Sequence, residues 1–318
     1  MSREAELIDK ITQFGYIVKA STYKDQEQAD KGNHTNRYWT ISEENSLLQN
    51  TAFYNTERDF IHFTTIEALY GMLNSKHFRL YNLVNMDDKM ELEYARKALS
   101  FATIDEQYKE EIFCFSMCSS SVILNEEPKK KKHLLWKLHG KDGKGVVIRL
   151  KIMNDPVSWR NYYLTECFYD LERFQPIKDL NEITKRERLD MKPCSFIKLP
   201  IYEFENEIRL LFDHRSSGTI SYEGKDLYPI TYQDKLLKPE KIYYFQLPIF
   251  NFYTGDEEAY PNPPDFGMGK GQEIPKISIT EIILGYRYSE EDLKNLKEKM
   301  KLYDPNINVR LSDLKQYY

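Results

Sequence analysis

The sequence predicts an α+β protein, and three observations carry the prediction. Runs of alternating, β-branched or aromatic residues recur as strands, amphipathic helical stretches stand between them, and no internal repeat is visible. The clearest run is residues 201–214, IYEFENEIRLLFDH. Read as one strand, it places Tyr202, Phe204, Ile208, Leu210 and Phe212 on one side, interrupted by Asn206. The other side carries Glu203, Glu205, Glu207, Arg209 and Leu211. Three carboxylates and an arginine in line are costly to bury without partners. Either that side is wet, or Glu205 and Glu207 project into a cleft where Arg209 holds a carboxylate or phosphate beside them.

With 318 residues and 41% hydrophobic content, the chain is long enough for one large or two small domains and for a real core. A formal charge of -5 argues against broad electrostatic binding of nucleic acid. The 24 tyrosines and 17 phenylalanines suit aromatic-lined pockets and plain cores equally. No apolar run is long enough to span a membrane, and MSREAELIDK lacks the apolar region of a signal peptide, so the expected location is cytoplasmic with no membrane partner. Cys114, Cys118, Cys167 and Cys194 are too few for a disulfide framework. Cys114 and Cys118 followed by His133 and His139 imitate a zinc site only loosely, and Cys114 reads as a core thiol in a strand.

Along the chain, residues 2–14 form an amphipathic helix with Leu7, Ile8, Ile11 and Phe14 on one side and Ser2 as N-cap. Residues 21–50 are polar and nearly aperiodic, so residues 1–55 read as a helix with a polar extension: a flexible arm, a peripheral layer or a regulatory or partner-binding arm. The remaining residues, 56–318, form the main domain. Phe60–Phe63 ends a strand, and Thr64 with Glu67 has the spacing of a capping box for a helix whose apolar side is Ile66, Leu69, Tyr70 and Leu73. His62 therefore stands just before a helix N-terminus, an anion-binding place to which the Thr64 and Thr65 hydroxyls add donors; a lone histidine there is also an ordinary structural residue.

A second strand covers residues 78–83, and Asn85, Asp87 and Asp88 open a helix striped by Met90, Tyr94, Ala98 and Phe101. Residues 111–117, EIFCFSM, read as a buried strand that delivers Ser116 to its end. The lysine block 129–132 reads as a solvated loop before a short helix with Leu134, Leu135 and Leu138 on its apolar side and Gly140 as C-cap. Strands follow at 145–152 and 162–169, and 180–196 is a charged helical stretch. Further strands are expected near 227–230, 241–246 and 281–284, with a Pro/Gly-rich loop at 250–277 of a length that suits a lid. A helix at 289–301 and a strand at 308–311 close the chain.

Four pieces then stand in a recognisable order: HFTT before a helix, NMDDKMELEY, FCFS followed by LLWKLHGKDGKGVVIRL, and FENEIRLLF, with IILGYRYSEEDL behind them. Together they resemble a large bacterial family of cytoplasmic proteins defined only as a domain of unknown function. In this chain Phe63, Thr65 and Ile208 replace the family's usual Tyr, Ser and Trp. That family in turn resembles a distant branch of the ADP-ribosyltransferase fold. The resemblance implies a split, mostly antiparallel sheet with flanking helices, and NAD as substrate.

It further implies that His62 holds a ribose hydroxyl and that Glu207 bonds the nicotinamide ribose. Ser116 takes the middle-strand position, Tyr81 is its rival for stacking on nicotinamide, and Glu205 helps choose or activate the acceptor. Arg209 joins the cofactor-binding group, and the pyrophosphate rests beside Thr64 and Thr65. The acceptor of ADP-ribose, whether protein, nucleic acid or water, is left open, and bacterial toxins and antiviral defence effectors are among the roles the fold serves. Residue types fit this chemistry, since a fixed carboxylate stabilises the oxocarbenium-like transition state of nicotinamide loss without a metal.

Two other readings stand beside it. One is a metal-dependent nuclease using Glu203, Glu205 and Glu207 with Asp87 or Asp88 around Mg²⁺ and the lysines 129–132 near phosphates. The other is a non-catalytic interaction protein with a decayed pocket.

Overall fold

The computed structural model describes residues 3–13, 17–24, 35–42, 58–85, 89–100, 106–121, 129–159, 162–175, 178–179, 182, 192–213, 221–222, 225–226, 230–233, 241–253 and 274–317. Asp87, Asp88, most of the charged stretch 180–196 and residues 254–273 of the Pro/Gly-rich loop lie outside them. The chain forms two compact units interleaved in sequence: residues 1–55, 86–110 and 165–203 make the first, and residues 56–85, 111–164 and 204–318 the second.

The first unit contains helix α1 (Arg3–Gln13), which buries Leu7, and a hairpin of β1 (Ile17–Lys24) and β2 (Thr35–Ser42) paired antiparallel from Ile17↔Ser42 to Lys24↔Thr35. The hairpin occupies sequence that shows no strand alternation. Helix α2 (Lys89–Ala98) and the turn after it bury Leu92, Ala95 and Leu99, whereas Tyr94 and Ala98, expected on its apolar side, are half-buried; the Met90 side chain and Phe101 lie outside the described residues. Tyr108 and Ser195 are hydrogen-bonded through their buried hydroxyls in the same unit.

The second unit is built on a ten-stranded open mixed sheet, mostly antiparallel, with flanking helices. Its strands are β3 (Asp59–Thr64), β4 (His77–Asn82), β5 (Ile112–Ser119), β6 (Val146–Ile152), β7 (Tyr162–Glu166), β8 (Glu207–Asp213), β9 (Ile230–Gln233), β10 (Lys241–Pro248), β11 (Ile277–Leu284) and β12 (Asn308–Leu311). The ladders run β9, β10, β4, β5, β3, β6, β11, β12, antiparallel except for the parallel last pair, and β8 lies against both β5 and β7. Helix α3 (Ile66–Ser75) connects β3 to β4; helix α4 (Lys129–Leu138) precedes β6; helix α5 (Glu290–Met300) lies between β11 and β12.

Alternation sorts each strand onto two faces. One face carries Phe60, Phe78, Leu80, Phe113, Phe115, Met117, Ile148, Leu150, Ile208, Leu210 and Phe212, and Leu69 and Leu73 of α3 and Leu296 and Met300 of α5 pack onto it. Full burial of each such side chain contributes roughly 1.5–3 kcal/mol. The opposite face holds a smaller cluster of Ile61, Trp136, Val147, Ile283, Tyr286 and Leu314.

Several local expectations change. Residues 201–214 are not one strand: Pro200–Glu205 is a 3-10 turn, Asn206 has φ +45°, and only Glu207–Asp213 is a strand. Every residue of that strand is buried, so neither of its sides is wet. The cap of α3 is Thr65, whose hydroxyl oxygen accepts from the Ala68 N–H at 3.1 Å, one residue beyond the expected Thr64. The lysine block is the opening of α4, not a loop: Lys132 is buried and donates to Asp313 at 2.8 Å, while Leu134 and Leu138, expected inside, are exposed.

Candidate active site

Strand β5 has three neighbours and two edges. Strand β8 occupies one edge along Ile112–Cys118, so β4 and β3 share the other. Strand β4 pairs with Phe113 and Cys114, and β3 pairs with Cys118 and Ser119. Among the described residues, none pairs with 115–117 between them on that edge. Beyond Ile61 the strand β3 leaves β5 and stays with β6, where His62 pairs with Ile148 and Thr64 with Val146. The middle of the sheet thus contains a gap whose lips are the ends of β3 and β4.

His62 stands in this gap. Its Nδ1–H donates to the Ser116 carbonyl at 2.9 Å, and its ring lies against Phe115 with centroids 4.5 Å apart. The bond to a carbonyl fixes the proton on Nδ1 in the neutral ring and leaves Nε2 as an acceptor. The residue is half-buried. Burial lowers its pKa from 6.5 to about 4, against the upward effect of the Ser116 carbonyl and with a further lowering from His139.

Ser116 is exposed although its neighbours Phe115 and Met117 are buried, so the floor of the gap is open to solvent on the smaller-cluster face. Cys114 Sγ is 3.9 Å from the Ser116 hydroxyl. On the same face Tyr81, 41% exposed, pairs with Cys114 and meets Tyr244 edge-on at 6.0 Å. Across the β5–β8 ladder, Arg209 is opposite Ser116 and Glu207 opposite Cys118. Residues two apart on a strand share a side, and Arg209 Nε donates to Glu207 Oε1 at 2.8 Å and Nη2 to Oε2 at 3.3 Å. Arg209 is 1% exposed and Glu207 5%. The arginine expected to grip a ligand instead holds the neighbouring carboxylate.

Glu205 goes elsewhere. The turn at Asn206 separates it from the strand, and its Oε1 accepts from Nε2 of His139 at 3.0 Å. His139 follows α4, 40% exposed, with its ring 6.3 Å from that of Phe63 on β3. Sequence reasoning missed His139 as a site residue; its signal is a histidine between a helix end and the Gly140 cap, next to a buried tryptophan.

Thr64 and Thr65 have local roles. Thr64 ends β3, and Thr65 caps α3 and bonds the Glu67 carboxylate; Glu67's pKa is lowered, first by its own backbone N–H and then by Thr65. The opening of the helix carries its own anion. Among the described residues no group of three or more His, Cys, Asp or Glu side chains is placed to hold a metal ion. None of the helices searched, which are those of the described residues, is long and apolar enough to cross a membrane.

Comparisons with family models, curated proteins and solved structures found no match to this chain.

Proposed function

We propose that the chain cleaves NAD at the bond between nicotinamide and ribose and passes ADP-ribose to an acceptor, protein, nucleic acid or water, on a divergent ADP-ribosyltransferase-like split sheet. The observation that carries the reading is the interrupted β5 ladder, with His62 in the gap, solvent over Ser116 and a buried carboxylate, Glu207, paired with Cys118 across the β5–β8 ladder. A dinucleotide in that gap would meet the acceptor Nε2 of His62 with a ribose hydroxyl and the ring of Tyr81 with its nicotinamide. Leaving as neutral nicotinamide, the pyridine nitrogen takes the bond's electron pair and positive charge develops on the sugar. Glu207 stabilises that charge, and Arg209, bonded to both of its oxygens, fixes the direction of the carboxylate. Such an activity suits a toxin or antiviral defence effector, with residues 1–55 as the arm for an antitoxin or other regulatory partner.

The nuclease reading needs carboxylates converging on one point, whereas Glu205 and Glu207 are directed to different partners. The test is nicotinamide release from NAD by the purified chain in EDTA, beside a folded Glu207→Gln variant. Release that ignores EDTA and falls at least about 10²-fold in the variant is expected. An equal rate in the variant, or a wild type that releases no nicotinamide, rejects the proposal.

A further inference from the structure

We infer that His139 is the general base that takes the proton from the acceptor, that Glu205 is the residue that positions it, and that the acceptor is an O–H group, water or a hydroxyl. The inference rests on the NAD-cleaving reading and adds the acceptor class and the path of its proton. In a simple strand Glu205 and Glu207 would stand side by side. Here the 3-10 turn and the left-handed Asn206 give them different partners, and Glu205 is buried behind an imidazole. Glu205 reaches the reaction through His139.

Geometry defines the imidazole's state. Glu205 Oε1 accepts the Nε2–H at 3.0 Å, so in the neutral ring Nδ1 holds the lone pair, and no other hydrogen bond of the ring occurs among the described residues. The carboxylate selects this tautomer and fixes the direction of the ring. Half-exposure of His139 over a nearly buried Glu205 gives a base open to solvent and anchored from behind. The backbone is fixed too: a Cβ at Gly140 would come within 2.4 Å of the Trp136 ring, and the Gly140 N–H bonds the Trp136 carbonyl at 3.0 Å. The contacts of His139 with Phe63, and its electrostatic effect on His62, place the base beside the departing end of β3.

The step balances. The C1′–N bond breaks with its electron pair on the nicotinamide nitrogen, and the acceptor oxygen forms a bond to C1′. Its proton passes to Nδ1 of His139 and from there to solvent.

The experiment uses the full chain with NAD in water and in water with methanol, reading nicotinamide, ADP-ribose and methyl-ADP-ribose. His139→Ala is expected to slow release roughly 10²–10⁴-fold, as loss of a general base does. Added imidazole restores much of it, while it does nothing for Glu207→Gln. Glu205→Gln loses less, without a change in the KM for NAD. Both O-linked products fall together in His139→Ala. An active wild type matched by His139→Ala, a folded His139→Ala that imidazole fails to rescue, or ADP-ribose recovered on a protein nitrogen overturns this inference and leaves NAD cleavage standing. A wild type that releases no nicotinamide overturns both.

Discussion

The two faces of the second unit's sheet are made of different material. The face under α3 and α5 is a continuous apolar core in which Phe60, Leu69, Ile148 and Leu210 are inaccessible to solvent. The opposite face has a small apolar cluster, and charge is buried beside it: Glu207 with Arg209 on β8, and Glu281, which accepts from Arg310 at 2.8 Å and Asn308 at 2.7 Å. The difference teaches where this protein can house chemistry. A buried carboxylate needs a cation in its own layer, and a face already filled by hydrocarbon has no room for one. His62 belongs by alternation to the apolar face, yet the gap in the β5 ladder lets its ring reach a carbonyl in the plane of the sheet.

The sharpest way to break this comparison is to strip one charge from the polar face. Arg209→Ala leaves Glu207 buried without its main cation and is expected to cost roughly 3–5 kcal/mol in urea unfolding. Replacing both, Glu207→Leu with Arg209→Leu, should restore wild-type stability or exceed it; a single variant as stable as wild type would show that the face is wetter than its burial implies.

The next effect is of pH. Above pH 6.5 His62 is neutral folded and unfolded, and the stability tied to its low pKa is fully present. As pH falls from 6.5 to about 4 the unfolded chain binds a proton that the folded chain refuses, and stability is lost. The slope is at most about 1.4 kcal/mol per pH unit. Urea midpoints at pH 7 and pH 5, with His62→Gln as the control that lacks this loss, measure it. The smallest effect belongs to the apolar face, where Ile148→Val should cost about 0.5–1.5 kcal/mol and leave the pH dependence unchanged.

Much of this is legible in the sequence. Residues 60–75 announce a strand, a threonine cap read one residue early and a helix with Leu69 and Leu73 inside, and the helix expected at 289–301 is found at Glu290–Met300. The site was legible in parts. Period-two spacing puts Glu207 and Arg209 on one side, but only the fully buried strand reveals that they bind each other. The break at residue 206 is local conformation, and asparagine, which tolerates positive φ, is its one sequence signal. His139 meets Glu205 across 66 residues, a pairing that no short-range pattern encodes. The β1–β2 hairpin escaped notice because its sequence, ending in polar Lys24 and opening again at Thr35, shows no clean alternation.

One consequence of the shared β5 edge concerns protection. Where β3 and β4 part, the interior of the sheet becomes an edge. Sheet edges invite other strands, and proteins blunt them with side chains that occupy the polar positions. The imidazole of His62 does this at Ser116: whatever else it binds, it is the gatekeeper of an internal edge, and a ligand entering the gap takes a place that a foreign strand would otherwise seek.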